Sequence, residues 1–201
     1  MDDSGRSLRE ELLAMAAEDQ RVRAVLAADG SLFDGYNPRM AGVHSRNAAR
    51  LAAILDRHGW PSRALVGEDG AAAAWLVLQH AIGHPDLQRR GLVLLREAVA
   101  RGDVQAVEAA MLEDRIAFFE GRPQRYGTQF GWDEDGELNP LPIEDEATVD
   151  ERRRSVGLGP LAEDIRRKRA EAARSLERPP RDWAGRQRQF EAWARSVGWR
   201  T

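Results

Sequence analysis

The stretch Ala71–Gly83, AAAAWLVLQHAIG, decides the fold of this chain. Apolar side chains occupy nearly every position, so a helix formed here has no polar side and belongs at the centre of a bundle. On both sides of it, apolar residues recur every three or four positions, as in amphipathic helices that pack around a centre. The sequence therefore predicts a mainly α protein, a single-domain helical bundle around this buried helix.

Start and stop signals delimit the neighbouring helices. Ser7, followed by Glu10 three positions later, is a capping-box pattern and predicts the start of the first helix. The second helix is predicted from His44 to His58, because Gly59 follows it. The fourth is predicted to start near Pro85, since proline is favoured at the first helical position.

An irregular insert, Gln124–Asp145, interrupts the helical pattern with the sequence QRYGTQFGWDEDGELNPLPIED. Strand-forming residues flank the acidic turn DEDG, which predicts a small β-hairpin at about 124–145. Pro140 and Pro142 restrict the second arm to an edge position. An isolated hairpin is marginal in water, so we expect this one to pack on the helices.

Three segments are predicted along the chain. An N-terminal helix and loop occupy 1–40, the helical domain with its hairpin insert occupies 41–175, and a Trp- and Arg-rich docking helix occupies 176–201. In the last segment Trp183 and Trp193 can share one face of a helix with other apolar residues.

The composition narrows the classes of function. There is no Cys, which excludes disulfides, thiolate nucleophiles and zinc–thiolate sites. No apolar run is long enough to cross a bilayer, and the acidic, amphipathic N-terminus does not resemble a signal peptide. We therefore expect a cytoplasmic protein that has no membrane partner.

Charge is distributed unevenly. Residues 151–201 hold 14 Arg or Lys and 7 acids, whereas residues 1–150 hold 16 and 26. A basic arm can bind nucleic acid, but it more often docks on an acidic face of its own chain or of a partner. We favour docking over nucleic acid as the role of this arm, and a homodimer is left open.

Six short motifs occur in a fixed order along the chain. They are HGWPS (58–62), VGEDGAAAAWLVLQHA (66–81), LEDR (112–115), GRPQRYGTQF (121–130), PLPIED (140–145) and DERRRSVGLGPL (150–161). In this order they resemble DUF6624, a family of bacterial proteins of unknown function, over residues of about 45–165. The resemblance implies no activity. His84 stands where similar proteins are expected to have an acid, which argues against His80 and His84 as a pair of metal ligands.

Asp114 lies on the apolar stripe of the fifth helix, in register with Val107, Met111 and Phe118. A buried carboxylate costs several kcal/mol unless it is paired or protonated, so Asp114 needs a partner from another element. Either Asp114 forms a structural salt bridge to one of Arg152–Arg154, or it is itself a catalytic or ligand-holding acid.

His80 follows Gln79 in the buried third helix, and both polar side chains need hydrogen-bond partners there. If His80 bonds Asp114, the carboxylate fixes its tautomer and the imidazole has the arrangement of a general base. The alternative is a core histidine whose hydrogen bonds have no role beyond stability.

The insert supplies hydroxyl and amide groups at Tyr126, Thr128 and Gln129. A tyrosine hydroxyl can act as an acid or hold an oxyanion, so we interpret the insert as a polar lid over a His80–Asp114 floor. The alternative is a hairpin that only caps the bundle.

Together these features predict an enzyme with no metal or organic cofactor that acts on a small molecule by acid–base chemistry, as a lyase, cyclase or isomerase. The predicted catalytic residues are His80, Asp114 and Tyr126. The predicted substrate-binding residues, including two arginines for a substrate anion, are Gln79, Arg115, Thr128, Gln129 and Arg153.

Two alternatives stay open. One is a non-enzymatic module that binds a ligand or a protein. The other is a metal-dependent hydrolase that uses His80 and His84, which are spaced like two ligands on one helical face, with Asp86 or Asp114 as the third ligand.

Overall fold

The computed structural model describes residues 2–175 and 177–201 and confirms a mainly α protein with a small β-hairpin. The helices of this described part are α1 (Asp3–Ala28), α2 (Pro38–His58), α3 (Arg63–His80), α4 (Pro85–Ala100), α5 (Ala106–Phe119), α6 (Val149–Ser155), α7 (Leu161–Arg174) and α8 (Trp183–Ser196). The strands are β1 (Phe130–Trp132) and β2 (Leu138–Pro140), and short 3-10 helices lie at Ser31–Phe33 and Glu146–Thr148. Within these residues no helix is both long and apolar enough to span a membrane.

Contacts group the chain into two compact units. The first comprises the residues up to Leu32 together with Tyr36–Ala109, and the second comprises Phe33–Gly35 together with Ala110–Thr201. This grouping does not test the predicted segments 1–40, 41–175 and 176–201, which stay a prediction.

In the first unit α3 packs against α1, α2 and α4. Its Val77 and Leu78 side chains are fully buried, as the apolar stretch predicts. Gly91 of α4 faces Leu78 so closely that a Cβ at position 91 would lie 2.5 Å from the Leu78 Cδ2 atom. The absence of a side chain at Gly91 therefore lets the two helices approach each other.

Helix α3 does not follow the predicted limits. It begins at Arg63, well before Ala71, and it ends at His80, before Gly83. A break lies inside it at Gly67, whose φ of 74° is left-handed and is readily adopted only by glycine. His80 is therefore the last residue of α3.

Two predicted helix starts are wrong. Asp2 caps α1 by accepting a 2.8 Å hydrogen bond from the Gly5 backbone N–H, and Ser7 lies inside the helix. Helix α2 begins at Pro38, where the Asn37 side chain caps it. Both true caps are earlier Asp or Asn residues, which serve this role as well as serine does. The predicted end of α2 before Gly59 is confirmed.

The second unit contains the hairpin. Strands β1 and β2 are antiparallel, with Gly131 opposite Asn139. The Asp133 carboxylate accepts backbone N–H groups from Asp135 at 3.1 Å and Glu137 at 2.8 Å, which fixes the acidic turn. From α7, Arg169 donates to the Leu138 carbonyl oxygen at 3.0 Å, so the hairpin packs on a helix as expected.

Helix α8 and the residues after it pack on the end of α5. The Trp199 ring stacks on Phe119, with ring centroids 5.1 Å apart, and Trp199 is 3% exposed. The Arg200 guanidinium donates to the carbonyl oxygens of Phe118 at 2.9 Å and Phe119 at 2.8 Å. The last carbonyls of a helix lack a donor within it; the Phe118 carbonyl also accepts the Gly121 N–H at 3.0 Å, and Arg200 adds donors from the basic tail to the end of α5.

Candidate functional site

Three polar side chains from three helices meet inside the first unit. Asp19 comes from α1, His44 from α2, and His80 from the end of α3. Asp19 occupies the position on the α1 stripe between Met15 and Val22, so the helix turns its carboxylate towards the core. We call Asp19, His44 and His80 the Asp–His cluster.

The Asp19 carboxylate lies between the two imidazoles. Its Oδ1 atom lies 2.8 Å from His80 Nδ1, and its Oδ2 atom lies 3.2 Å from His44 Nε2. The ring centroids of His44 and His80 are 5.3 Å apart. One ligand atom from each of the three residues lies within 4.8 Å of the other two, so the cluster has donors of the kind that hold a metal.

Burial differs within the cluster. The side chains of Asp19 and His44 are 1% and 9% exposed, whereas that of His80 is 20% exposed. Burial opposes ionisation of Asp19, but its interactions with the two imidazoles outweigh burial and hold the pKa of Asp19 below its ordinary value. The cluster is thus an ionised carboxylate in the core that reaches the surface through His80.

Tyr36 holds the far side of His44. Its hydroxyl oxygen lies 2.9 Å from His44 Nδ1, and the two rings stack with centroids 5.6 Å apart. Burial, reinforced by the negative charge of Asp19, raises the pKa of Tyr36. The hydroxyl therefore stays protonated and fixes the orientation of His44.

His84 does not share a helical face with His80, contrary to the ligand pair of the hydrolase alternative. Helix α3 ends at His80, and His84 is the residue that precedes α4. Its Nε2 atom lies 3.2 Å from the Ser45 hydroxyl oxygen. Burial lowers the pKa of His84.

Asp114 holds the beginning of the insert. Its carboxylate accepts the backbone N–H groups of Arg125 at 2.8 Å, Tyr126 at 3.0 Å and Thr128 at 2.9 Å. The Thr128 hydroxyl donates to it as well, at 3.0 Å. Burial raises the pKa of Asp114, while these four donors oppose the rise.

The predicted hydrogen bond between His80 and Asp114 needs correction. The carboxylate that contacts His80 is that of Asp19, and the Asp114 carboxylate binds the insert. These contacts of Asp114 are hydrogen bonds from backbone N–H groups and a hydroxyl, not the predicted salt bridge to one of Arg152–Arg154.

The polar groups of the insert bond mainly to one another. Gln124 is fully buried; its amide donates to the carbonyl oxygens of Gln129 at 3.0 Å and Leu141 at 2.8 Å, and its Oε1 accepts the Gln129 N–H. The Gln129 side chain donates in turn to the Thr128 hydroxyl at 3.1 Å. Tyr126 is buried, and burial raises its pKa. A catalytic or substrate-binding role for Tyr126, Thr128 and Gln129 draws no support from these contacts.

Among the other predicted substrate residues, Arg115 and Arg153 belong to the second unit, and Gln79 belongs to the first. Arg153 is 1% exposed, pairs with Asp164, and donates to the Tyr126 carbonyl oxygen at 2.7 Å. Arg115, on α5, is partly buried. Gln79 is buried beside His80, and its carbonyl oxygen accepts from Gln88 at 3.1 Å.

Sequence reasoning missed Asp19, His44 and Tyr36. A signal for Asp19 was present, because it interrupts the stripe of Leu12, Met15 and Val22 in the same way that Asp114 interrupts the stripe of α5. His44 was placed at the predicted start of α2, where no burial is expected. In the structure it lies inside that helix and faces the core.

Comparison with known proteins identifies a family and nothing further. The family described as "Family of unknown function (DUF6624)" matches residues 6–176, which extends the resemblance seen over about 45–165 in both directions. No curated protein and no solved structure matches the chain.

Proposed function

The chain belongs to the DUF6624 family, and we propose from the geometry of the Asp–His cluster that it is an enzyme acting on a small molecule by acid–base chemistry. The reaction class is a lyase, cyclase or isomerase, and a cytoplasmic location is part of the proposal. The observation that carries it is the 2.8 Å contact between Asp19 Oδ1 and His80 Nδ1.

This contact gives His80 the properties of a proton-transfer group. When Asp19 accepts the proton on Nδ1, the basic lone pair of the imidazole is on Nε2. The same carboxylate stabilises the imidazolium that forms when Nε2 takes a proton from the substrate. In an isomerase that proton returns to another atom of the substrate, and in a lyase it goes to the leaving group, so His80 ends each cycle neutral.

The burial of the two residues supports the same roles. Asp19 is 1% exposed, so a substrate does not reach it, while His80 is 20% exposed. The carboxylate is therefore a positioning residue, and the imidazole is the group within reach of a small molecule. Positioned acid–base groups typically contribute roughly 10²–10⁴-fold to a rate.

The test is a search for turnover with matched histidine variants. Purified protein is incubated with a small-molecule extract of bacterial cells, and mass spectrometry follows which compounds are consumed and which are formed. We expect wild type and the His58→Gln variant, which alters an exposed histidine at the end of α2, to convert the same compound. The His80→Gln variant should convert it at least about 100-fold more slowly.

Two outcomes would contradict the proposal. One is that wild type changes no compound, which favours the non-enzymatic binding module. The other is that His80→Gln turns over the compound at the wild-type rate. Circular dichroism of each variant verifies that a lost rate is not a lost fold.

A further inference from the structure

We propose that the Asp–His cluster binds a divalent transition-metal ion through Asp19, His44 and His80. The inference rests on the proposed function, because it supplies a cofactor to the same site. Its evidence is separate and consists of the spacing of the three ligand atoms, the state of two buried atoms in the cluster, and the contact that holds His44 from behind.

The spacing matches a coordination sphere. Ligand atoms that share one metal at about 2.0–2.2 Å lie about 3–3.5 Å from each other. The two contacts of the Asp19 carboxylate, 2.8 Å to His80 Nδ1 and 3.2 Å to His44 Nε2, are close to these separations. One ligand atom from each of the three residues lies within 4.8 Å of the other two, so small movements of the side chains would bring all three to these separations.

Two buried atoms of the cluster contact only each other. Asp19 Oδ2 and His44 Nε2 lie 3.2 Å apart without the geometry of a full hydrogen bond, and among the described residues neither atom has another hydrogen-bond partner. Both atoms are fully buried, where an unsatisfied polar atom costs about 1–3 kcal/mol. A cation bound between Asp19 Oδ2 and His44 Nε2 would accept the lone pairs of both atoms. The direct contact between them does not satisfy both in this way.

Tyr36 provides the outer contact that metal-binding histidines usually have. A histidine that binds a metal through one ring nitrogen generally donates its other N–H to an oxygen. The Tyr36 hydroxyl oxygen lies 2.9 Å from His44 Nδ1, which leaves Nε2 directed at Asp19. When His44 Nδ1–H donates to this hydroxyl oxygen, the Nε2 lone pair of His44 is available for an ion.

The donor set indicates the class of ion. Two imidazole nitrogens and one carboxylate oxygen suit zinc, iron and related divalent ions better than magnesium or calcium, which prefer oxygen alone. Three protein ligands leave room for water or substrate, as in catalytic sites. With such an ion bound, His80 Nδ1 would coordinate it in place of carrying a proton, and the ion would lower the pKa of a bound water to about 7. The direct acid–base role proposed above for His80 belongs to the metal-free protein.

The test is zinc binding to tag-free protein that has first been treated with a chelator and then dialysed. Isothermal titration with Zn²⁺ should show one ion per wild-type chain, and Co²⁺ should give a visible absorption spectrum that Zn²⁺ displaces. The His44→Gln variant should lose more affinity than the roughly 10–100-fold typical of a lost outer contact, and Tyr36→Phe should lose an amount within that range. The His58→Gln and His84→Gln variants should bind as wild type does.

Absence of stoichiometric Zn²⁺ binding by wild type overturns the inference, and so does wild-type affinity in His44→Gln. If His44→Gln does not fold, wild-type affinity in the conservative Tyr36→Phe variant overturns it instead. The two proposals fail separately. If His80→Gln loses turnover and wild type binds no metal, the protein is a cofactor-free acid–base enzyme and only the metal site is ruled out. If wild type binds Zn²⁺ but shows no turnover, the metal site stands and the proposed enzymatic function is ruled out.

Discussion

The Nδ1 atom of His80 lies 2.8 Å from Oδ1 of Asp19, a residue 61 positions away in the sequence. This contact predicts which tautomer His80 adopts in metal-free protein. Because a carboxylate accepts a hydrogen bond, His80 should hold its proton on Nδ1. Nitrogen-15 NMR of the imidazoles at neutral pH measures the position of the proton directly.

Variants of two aspartates test the origin of that preference. Asp19→Asn removes the charged acceptor with little change of shape, so the preference of His80 for Nδ1–H should weaken. Asp86→Asn makes the same change at an exposed position of α4 and should leave His80 unchanged. If Asp19→Asn has the wild-type spectrum, Asp19 does not orient His80.

Asp114 accepts hydrogen bonds from three backbone N–H groups and one hydroxyl at the start of the insert. Replacing it with alanine leaves buried donors without an acceptor, and we expect a loss of about 3 kcal/mol or more in the free energy of unfolding. Urea unfolding measures the loss. The Thr128→Val variant removes only one of the four donors and should cost about 1 kcal/mol. Equal losses in the two variants would show that the carboxylate does not organise the insert.

The sequence predicts which carboxylates are buried but not which groups they meet. Asp19 and Asp114 both interrupt an apolar stripe, and periodicity alone places such residues towards the core. The partner depends on how the helices pack and how the loop after α5 folds, which no local pattern specifies. The predicted His80–Asp114 pair is therefore wrong: His80 contacts Asp19, and Asp114 contacts the insert.

Short sequence patterns predict structure correctly where a few neighbouring residues determine it. The hairpin was predicted from strand formers around an acidic turn, and the turn is indeed closed by Asp133 within a few residues. The polar residues of the insert misled the functional interpretation, because hydroxyls and amides in an irregular loop are needed to satisfy its own backbone. Gln124, which bonds two carbonyls and one N–H, shows this requirement most clearly.

Two glycines inside helices should respond oppositely to alanine. A Cβ at Gly91 would lie 2.5 Å from Leu78 Cδ2, so Gly91→Ala should cost roughly 1–3 kcal/mol through overpacking between α3 and α4. A Cβ at Gly42 meets only the Arg46 Nη1 atom at 3.6 Å. Gly42→Ala should therefore stabilise by roughly 0.5–1 kcal/mol, the usual gain of alanine over glycine in a helix. Thermal unfolding of both variants measures the contrast, and a shift of the same sign in both would contradict it.

The buried Arg153 guanidinium pairs with Asp164, and this pair predicts a pH dependence of stability. Burial opposes ionisation of Asp164, but hydrogen bonds from Arg153 and Arg167 outweigh burial and hold its pKa below the ordinary 3.8. A carboxyl group whose pKa is lowered by folding stabilises the fold fully above its ordinary pKa, and that stabilisation is lost as the pH falls through the lowered value.

Asp164→Asn should thus cost about 3 kcal/mol near pH 7, because Arg153 is left buried without its counter-charge. The difference from wild type should be smaller at about pH 3 than near pH 7, because Asp164 of the wild type takes up a proton only as the pH falls below 3.8 and through its lowered pKa. Urea unfolding at both pH values measures the difference, with Glu163→Gln as an exposed control in the same helical turn that should stay within about 0.5 kcal/mol of wild type. A cost of Asp164→Asn that is the same at both pH values would mean that the charge of Asp164 does not support Arg153.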